Sequence, residues 1–265
     1  MNKAQIFKNL HSAPRKLLIL PNIWDAGGAR IVESIGAKAV ATTSAGVAWS
    51  KGYRDGNQLP IRLLASLAEE IVNAVKVPVT IDFEAGYATD PSKVAKNLKP
   101  LIAAGISGIN IEDGTDSPDV LARKIEAIKK LGSDIFINTR TDVYLQDLVP
   151  DEKKVKETLD RAALYQSAGA DGLFVPGLVD ADHIAKITRG TELPVNLMAS
   201  TELPSADRLA KLNVRRLSSG IAMAPIGYGH IARLAASFLK EGDSRVFDED
   251  GMGYSQLQKL FSNHA

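Results

Sequence analysis

From residue 16 onward, short apolar and β-branched runs alternate with amphipathic stretches to the end of the chain. The strand-like runs are KLLIL (16–20), KAVATTS (38–44), VPVTIDF (77–83), SGINIED (107–113), DIFINTR (134–140), DGLFVP (171–176), LPVNLMA (193–199) and VRRLSS (214–219). Between them lie stretches such as SKVAKNLKPLIAAG (92–105) and DEKKVKETLDRAALYQSAG (151–169). Their apolar positions recur every three or four residues, the helical period. The punctuation repeats too. The second, fourth, sixth and eighth runs follow helical stretches that stop at Gly36, Gly105, Gly169 and Asn213. Glycine and asparagine are the residues that best adopt the left-handed backbone with which helices end. The third and seventh runs are instead entered through Pro78 and Pro194.

Strict alternation argues for a parallel sheet. Eight units at roughly 33 residues each predict a closed (β/α)8 TIM barrel, an α/β fold, as a single domain over residues 1–265. An open doubly wound sheet is the other arrangement with this alternation. No G-x-G-x-x-G follows the first run to support a dinucleotide version of it. Gly27 and Gly28 in DAGGAR have neither the spacing nor the position, and read as close helix packing. A polar break, EGDSRVFDEDGMG (241–253), precedes a short helix, SQLQKLF (255–261), expected to pack on its own chain or on a partner's.

Charge removes several functions. With 32 basic and 31 acidic residues, the chain lacks the electrostatic footprint of a nucleic-acid binder. It has no cysteine, which excludes disulfides, thiolate metal sites and a cysteine nucleophile. The first residues lack the apolar core of a secretory signal, and no run of roughly 18 apolar residues exists to span a membrane. The expectation is a soluble cytoplasmic protein with neither nucleic acid nor membrane as partner.

In a barrel, reactive groups come from the C-terminal ends of strands. The stretch VTIDFEAGY (79–87) carries Asp82 and Glu84 two residues apart. Strand side chains alternate, so both carboxylates are expected on one face. Glu112, ending the fourth run, joins them. Three carboxylates in one mouth repel unless a proton or a cation intervenes. Oxygen ligands without His or Cys favour Mg2+ or Mn2+. The plainer reading is that Glu112 or Asp113 caps a loop and Glu84 faces solvent. Arg140, ending the fifth run, is either a structural ion pair or a two-pronged holder of an anionic substrate. The small residues of TTSAG (42–46) offer backbone N–H groups to a carboxylate. His11, His183, His230 and His264 fall on expected helices or at the terminus, with His230, after the eighth strand, the one to check.

Taken together, PNIWDAGGAR (21–30), ATTSAGVAWSKGYRD (41–55), DFEAGY (82–87), GINIED (108–113), NTRTD (138–142) and AGADGLF (168–174) resemble, in order and spacing, the isocitrate lyase/phosphoenolpyruvate mutase superfamily. The resemblance implies a (β/α)8 enzyme that binds magnesium and a 2-oxo acid or its enolate. It also implies a homo-oligomer: dimers that swap a C-terminal helix of the barrel between subunits, then pair into tetramers. By position, Trp24 and Asp25 look like the family's first-strand motif. Thr43, Ser44 and Ala45 look like its substrate cradle, and Asp55 like the acid of a loop that gates the site. Asp82, Glu84 and Glu112 match the metal-shell acids, and Arg140 the substrate-binding arginine. Asn196 lies near a polar position on the seventh strand. Asp55 and Arg140 are thus the expected catalytic residues. Trp24, Thr43, Ser44, Ala45, Asp82, Arg140 and Asn196 are the expected substrate contacts, and Asp82, Glu84 and Glu112 the expected metal ligands.

The departures narrow the chemistry. The family usually reads D-x-D-T-G-Y-G, but this chain has DFEAGYA, with Glu84 for the second Asp. After the fourth strand stands EDGTDSPDV (112–120), without the K-K-C-G-H of the lyases or the lysine loop of the mutases. Pro176 and Gly177 replace the acidic or histidine residues of the sixth strand. Losing these acids disfavours reactions that must protonate a departing fragment. Decarboxylation needs no such proton, because carbon dioxide leaves by itself and a Lewis-acidic metal stabilises the enolate. The expected activity is therefore a Mg2+-dependent carbon–carbon lyase acting on an oxaloacetate-like 2-oxo acid. The alternatives are phosphorus–carbon chemistry of the mutase or phosphonopyruvate hydrolase type, and a non-catalytic 2-oxo acid binder.

Overall fold

The computed structural model describes residues 2–12, 16–248 and 251–262. Its strands are β1 (Leu18–Leu20), β2 (Asn22–Ile23), β3 (Val40–Thr42), β4 (Val79–Asp82), β5 (Gly108–Glu112), β6 (Phe136–Arg140), β7 (Gly172–Phe174), β8 (Val195–Met198) and β9 (Arg216–Ser218). The helices are α1 (Lys3–Ser12), α2 (Ala26–Ser34), α3 (Ser44–Ser50), α4 (Ile61–Ala74), α5 (Pro91–Ala103), α6 (Pro118–Lys129), α7 (Asp151–Ala168), α8 (Ala181–Gly190), α9 (Ala206–Lys211), α10 (Met223–Glu241) and α11 (Tyr254–Phe261).

All strand pairs are parallel, and their order, β1-β9-β8-β7-β6-β5-β4-β3-β2, makes a nearly closed barrel. The predicted α/β barrel is what forms, with one correction. The first strand is two pieces, because Pro21 has no N–H for the ladder. β1 pairs with β9, and β2 pairs with β3. Nine strands therefore stand where eight were expected. The second expected strand also ends early, since Ser44 opens α3. The predicted helix stops hold, with left-handed backbone at Gly36, Gly105, Gly169 and Asn213.

Apolar side chains from α4, α5 and α6 pack on β3 to β6, with Ile71, Ile81, Leu98, Ile109 and Ile125 fully buried. Inside the barrel the filling is polar. Asn138 Nδ2 donates to Asn110 Oδ1 at 2.9 Å, and Arg216 Nη2 reaches the same oxygen from β9 at 3.3 Å. Helix α1 lies against β6 and closes the floor. Its Phe7 meets Phe136 edge-on at 5.6 Å, and its buried His11 stacks on the same ring at 4.2 Å.

The last unit is different. Helix α10 rests on α3 and β2, and exposes Ile226, Ile231, Phe238 and Leu239. An apolar groove of about 800 Å³ meanwhile stays open beside β1 and α2, lined by Leu10, Leu17, Ile19, Ile35, Ala37 and Leu217. The final helix, α11, packs on α2 of its own chain, where the Arg30 guanidinium donates to the Leu260 carbonyl. No described helix is long and apolar enough to cross a membrane.

Candidate active site

Asp82 ends β4, Glu112 ends β5 and Arg140 ends β6, which places all three at one mouth of the barrel. Register puts Glu112 directly opposite Arg140. Arg140 Nη1 lies 2.8 Å from Glu112 Oε2, while Nε and Nη2 grip both oxygens of Asp142 at 2.6 and 2.9 Å. Asp142 is buried, and its N–H donates to Asp113 Oδ1 at 2.9 Å. Asp113 Oδ2 in turn accepts from Arg161 at 2.7 Å and from Tyr165 at 2.6 Å. The anchor behind Arg140 thus reaches through two carboxylates to α7. Sequence reasoning missed that anchor. Its signal was the pair Arg161 and Tyr165, four residues apart on one helix face.

Asp82 is set by Thr42 of β3 and by Ser44 at the start of α3. Its own N–H donates to Thr42 Oγ1 at 2.8 Å, and its carboxylate accepts from the Ser44 N–H at 3.1 Å. Burial pushes the Asp82 carboxyl upward, against Arg140 and Ser44, which favour the charged form. Glu112 is pushed up to about 8 by burial, reinforced by the charges of Asp82, Asp142 and Glu84 and opposed by Arg140. Arg140 is held firmly protonated, because Glu112, Asp142 and Asp82 outweigh its own burial. One guanidinium therefore serves several acids, and the mouth is short of positive charge.

Glu84 does not share a strand face with Asp82, although its backbone carbonyl accepts the Glu112 N–H at 3.0 Å and its charge is felt at Glu112. Strand β4 ends at Asp82, and the backbone at Glu84 turns left-handed, with φ of 47°. The alternation that would have put both carboxylates on one face no longer applies. Instead, Glu84 accepts hydrogen bonds from the Asn57 N–H and from the Tyr87 hydroxyl. Among the described residues no group of three or more His, Cys, Asp or Glu is arranged to hold a metal ion.

The other expected residues divide. Asp55 is exposed on the loop after α3, close enough for its charge to add to burial in raising both Asp82 and Glu84. The Ser44 N–H of the expected cradle is occupied by Asp82, and Thr43 and Ala45 are buried. Trp24 stacks on Tyr228 of α10 at 6.1 Å. Asp25 caps α2 by accepting from the Gly28 N–H at 2.6 Å. A Cβ at Gly28 would press on Ile23 at 3.3 Å, so the close-packing reading of that glycine holds. Asn196 is buried inside the barrel and accepts from Ser218 Oγ at 3.2 Å, with its Nδ2 unpartnered among the described residues. Gly177 brings its loop against the Leu145 backbone. Of the histidines, His11 belongs to the floor and His183 pairs with Tyr144 at 3.1 Å. His230 is exposed on α10 beside Arg233, and His264 lies outside the described residues.

A parallel α/β barrel with an acid-rich mouth backed by a clamped arginine defines the class. Residues 7–239 match the family model for phosphoenolpyruvate phosphomutase. The chain belongs to that family, within the isocitrate lyase/phosphoenolpyruvate mutase superfamily. It is 36% identical over 233 residues to an uncharacterized protein of Mycobacterium tuberculosis, covering 85% of each chain. It is 29% identical over 213 residues to an oxaloacetate decarboxylase of Pseudomonas savastanoi pv. phaseolicola, covering 74% of this chain and 69% of that one. A solved Burkholderia cenocepacia structure, provisionally named a phosphonomutase, superposes with a TM-score of 0.81 at 40% identity, over 90% of this chain and 99% of that one. A phosphonopyruvate hydrolase solved with oxalate and Mg2+ shares the fold at TM-score 0.86 and 19% identity, over 99% and 96% of the two chains. The curated relatives include oxaloacetate decarboxylases and 2-methylisocitrate lyases.

Proposed function

We propose that this chain is a Mg2+-dependent lyase that breaks a carbon–carbon bond in a small 2-oxo acid, with oxaloacetate as the type of substrate. The observation that carries the reading is the grouping of Asp82, Glu112 and Arg140 at one mouth, where two half-buried carboxyls share a single cation. Magnesium commonly uses one or two carboxylates and keeps waters that substrate oxygens replace. Asp82 and Glu112 fit that donor set and Glu84 does not. Bound there, the ion would supply Lewis acidity to the substrate's oxo and carboxylate oxygens.

The rest is the work of side chains. Arg140 donates from Nε and Nη2 to Asp142 and pairs Nη1 with Glu112, so part of the roughly five N–H groups that a guanidinium carries stays available to a substrate carboxylate. Asp142, Asp113 and Arg161 hold that guanidinium still, so its orientation is set before substrate arrives. The loop after β5 supplies acids and no lysine or histidine, so no cationic acid stands there to protonate a leaving fragment. Loss of carbon dioxide asks for none.

The decarboxylase relative supports this reading. Phosphorus–carbon chemistry is the second reading, supported by the family description and by the 40% identical structure. Oxaloacetate, phosphonopyruvate, 2-oxoglutarate and pyruvate, each assayed with Mg2+ and after chelation, separate them. Turnover of oxaloacetate that chelation abolishes is the expected result. Turnover of phosphonopyruvate alone selects the second reading, and binding without product selects a sensor.

The protein is also proposed to be a homo-oligomer in which α10 of one subunit seats in the groove beside β1 and α2 of another. The exposed isoleucines of α10 and the exposed Ile19 and Ile35 of the groove support it. Native mass spectrometry is expected to show a dimer or a dimer of dimers, and Ile35→Glu to disperse it. A monomeric wild type removes the proposal.

A further inference from the structure

We propose that Glu84 is a positioning residue that latches the loop carrying Asp55 over the mouth, rather than a ligand in the metal shell. The inference rests on the mouth being the reactive site, but it concerns a separate piece of the molecule.

Both oxygens of the Glu84 carboxylate are occupied. One accepts the backbone N–H of Asn57, and the other accepts the Tyr87 hydroxyl at 2.5 Å. The Asn57 side chain returns the contact, accepting the Tyr87 N–H at 3.1 Å. The three residues close a ring that ties the loop after α3 to the turn after β4. Each oxygen keeps a further lone pair, and among the described residues Glu84 belongs to no group of three or more His, Cys, Asp or Glu arranged to hold a metal ion.

The two sides of the ring differ in firmness. The turn is pinned from behind. Lys124 of α6 donates to the Ala85 carbonyl at 2.8 Å, and Asn97 of α5 donates to the Gly86 carbonyl at 3.2 Å. Gly86 itself has φ of 89° and sits where a Cβ would lie 2.7 Å from Val94. By contrast, residues 54–58 of the loop are exposed. The ring is therefore a hold that a pinned turn exerts on an exposed loop.

Backbone conformation points the same way. Among the described residues, five that are not glycine have positive φ, and Asn57, Glu84 and Tyr87 are three of them, at 58°, 47° and 58°. Such conformations persist only where surrounding contacts over-determine them. Here the three strained residues bond to one another. A carboxylate one methylene longer, as Glu is than Asp, moves its oxygens by about 1.5 Å. That reach is what spans from the turn to the Asn57 N–H. The departure from the family's Asp thus fits the contact that Glu84 makes with the loop.

The test reads loop and metal separately. Amide hydrogen exchange over residues 52–58 and Mg2+ calorimetry are measured on wild type, Glu84→Asp, Tyr87→Phe and Glu84→Gln. Glu84→Asp is expected to speed exchange at Asn57 at least tenfold while Mg2+ affinity stays within threefold. Tyr87→Phe, which keeps the ring on Phe83, is expected to shift exchange in the same direction by a smaller factor. Glu84→Gln retains an acceptor for Asn57 and is expected to restore most of the protection. Unchanged loop exchange in both Glu84→Asp and Tyr87→Phe overturns the proposal. So does a tenfold loss of Mg2+ affinity in Glu84→Gln. Neither readout needs turnover. If no 2-oxo acid reacts, or if wild type binds no Mg2+, the proposed reaction fails while loop exchange still decides the latch.

Discussion

The two ends of the barrel interior both bury charge, and they treat it oppositely. At the mouth, Asp82 and Glu112 are acids pushed toward their protonated forms by burial. At the floor, Arg216 and His11 are bases pushed toward neutrality by burial, to about 9 and about 3. The same desolvation acts at each end, with opposite sign because the charges are opposite. What differs is the way out. The mouth opens to solvent and to whatever binds there, so its crowded acids can be relieved by a proton or a cation. The floor is sealed by Phe7 and Phe136, and the Nε and Nη1 of Arg216 find no partner among the described residues. Buried charge at an entrance makes a site, whereas buried charge behind a plug is a load on the fold.

That contrast can be broken. The largest effect is expected at the mouth: Asp82→Asn should lower turnover about a thousandfold, the upper range for removing one charge-stabilising group. Steady-state kinetics checks it, and the thermal midpoint should not fall, since an under-compensated carboxylate has been removed. A large loss of stability with activity intact would reverse the assignment of the two ends.

Next comes acid stability at the floor. His11 Nδ1 donates to the Phe7 carbonyl at 2.8 Å, and burial, with Arg216 nearby, holds the ring neutral down to about 3. The unfolded chain takes up this proton near pH 6.5, so stability is complete above that value and is lost as the pH falls toward 3. The loss attributable to this residue is on the order of 4 kcal/mol, and His11→Leu should flatten it in urea titrations between pH 7 and pH 4.

Glu112 has the reverse sign. Its folded-state value of about 8 exceeds that of the unfolded chain, so its contribution is greatest at low pH and declines as the pH rises from about 4.5 to about 8. Glu112→Gln should recover roughly 2 kcal/mol at pH 8.5 in metal-free buffer. Mg2+ should recover part of the same loss in wild type. The smallest effect sharpens the meaning of the floor. Arg216→Met, of similar volume, should raise stability by about 1 kcal/mol, as hydrophobic replacements of buried charge do. If turnover falls instead, Arg216 serves Asp82 from below.

The barrel was legible because its signals are periodic and local. Helical spacing, and helix stops at Gly36, Gly105, Gly169 and Asn213, are each decided within a few residues. The break at Pro21 was in plain view, yet KLLIL ran up to it without a turn signal, and only its effect on pairing shows that two strands result. Asp82, Glu112 and Arg140 were found together because strand ends in a barrel share a rim. Glu84 was misplaced because the alternation rule was carried two residues past the point where β4 stops. No local pattern announces Asn57, which lies 27 residues from the carboxylate that holds it. The clamp of Asp113 and Asp142 behind Arg140 joins three elements and has no sequence period at all.

The groove beside β1 and α2 has a consequence outside the active site. A subunit that leaves an apolar seam of this size uncovered and sends α10 outward is short of buried surface when alone. If a second copy supplies the cover, the folded population obeys mass action. Dilution then becomes a denaturant, and the midpoint of unfolding should climb with the logarithm of protein concentration. The amount of this protein in a cell would set not only how much reaction occurs but how much of each chain survives to perform it.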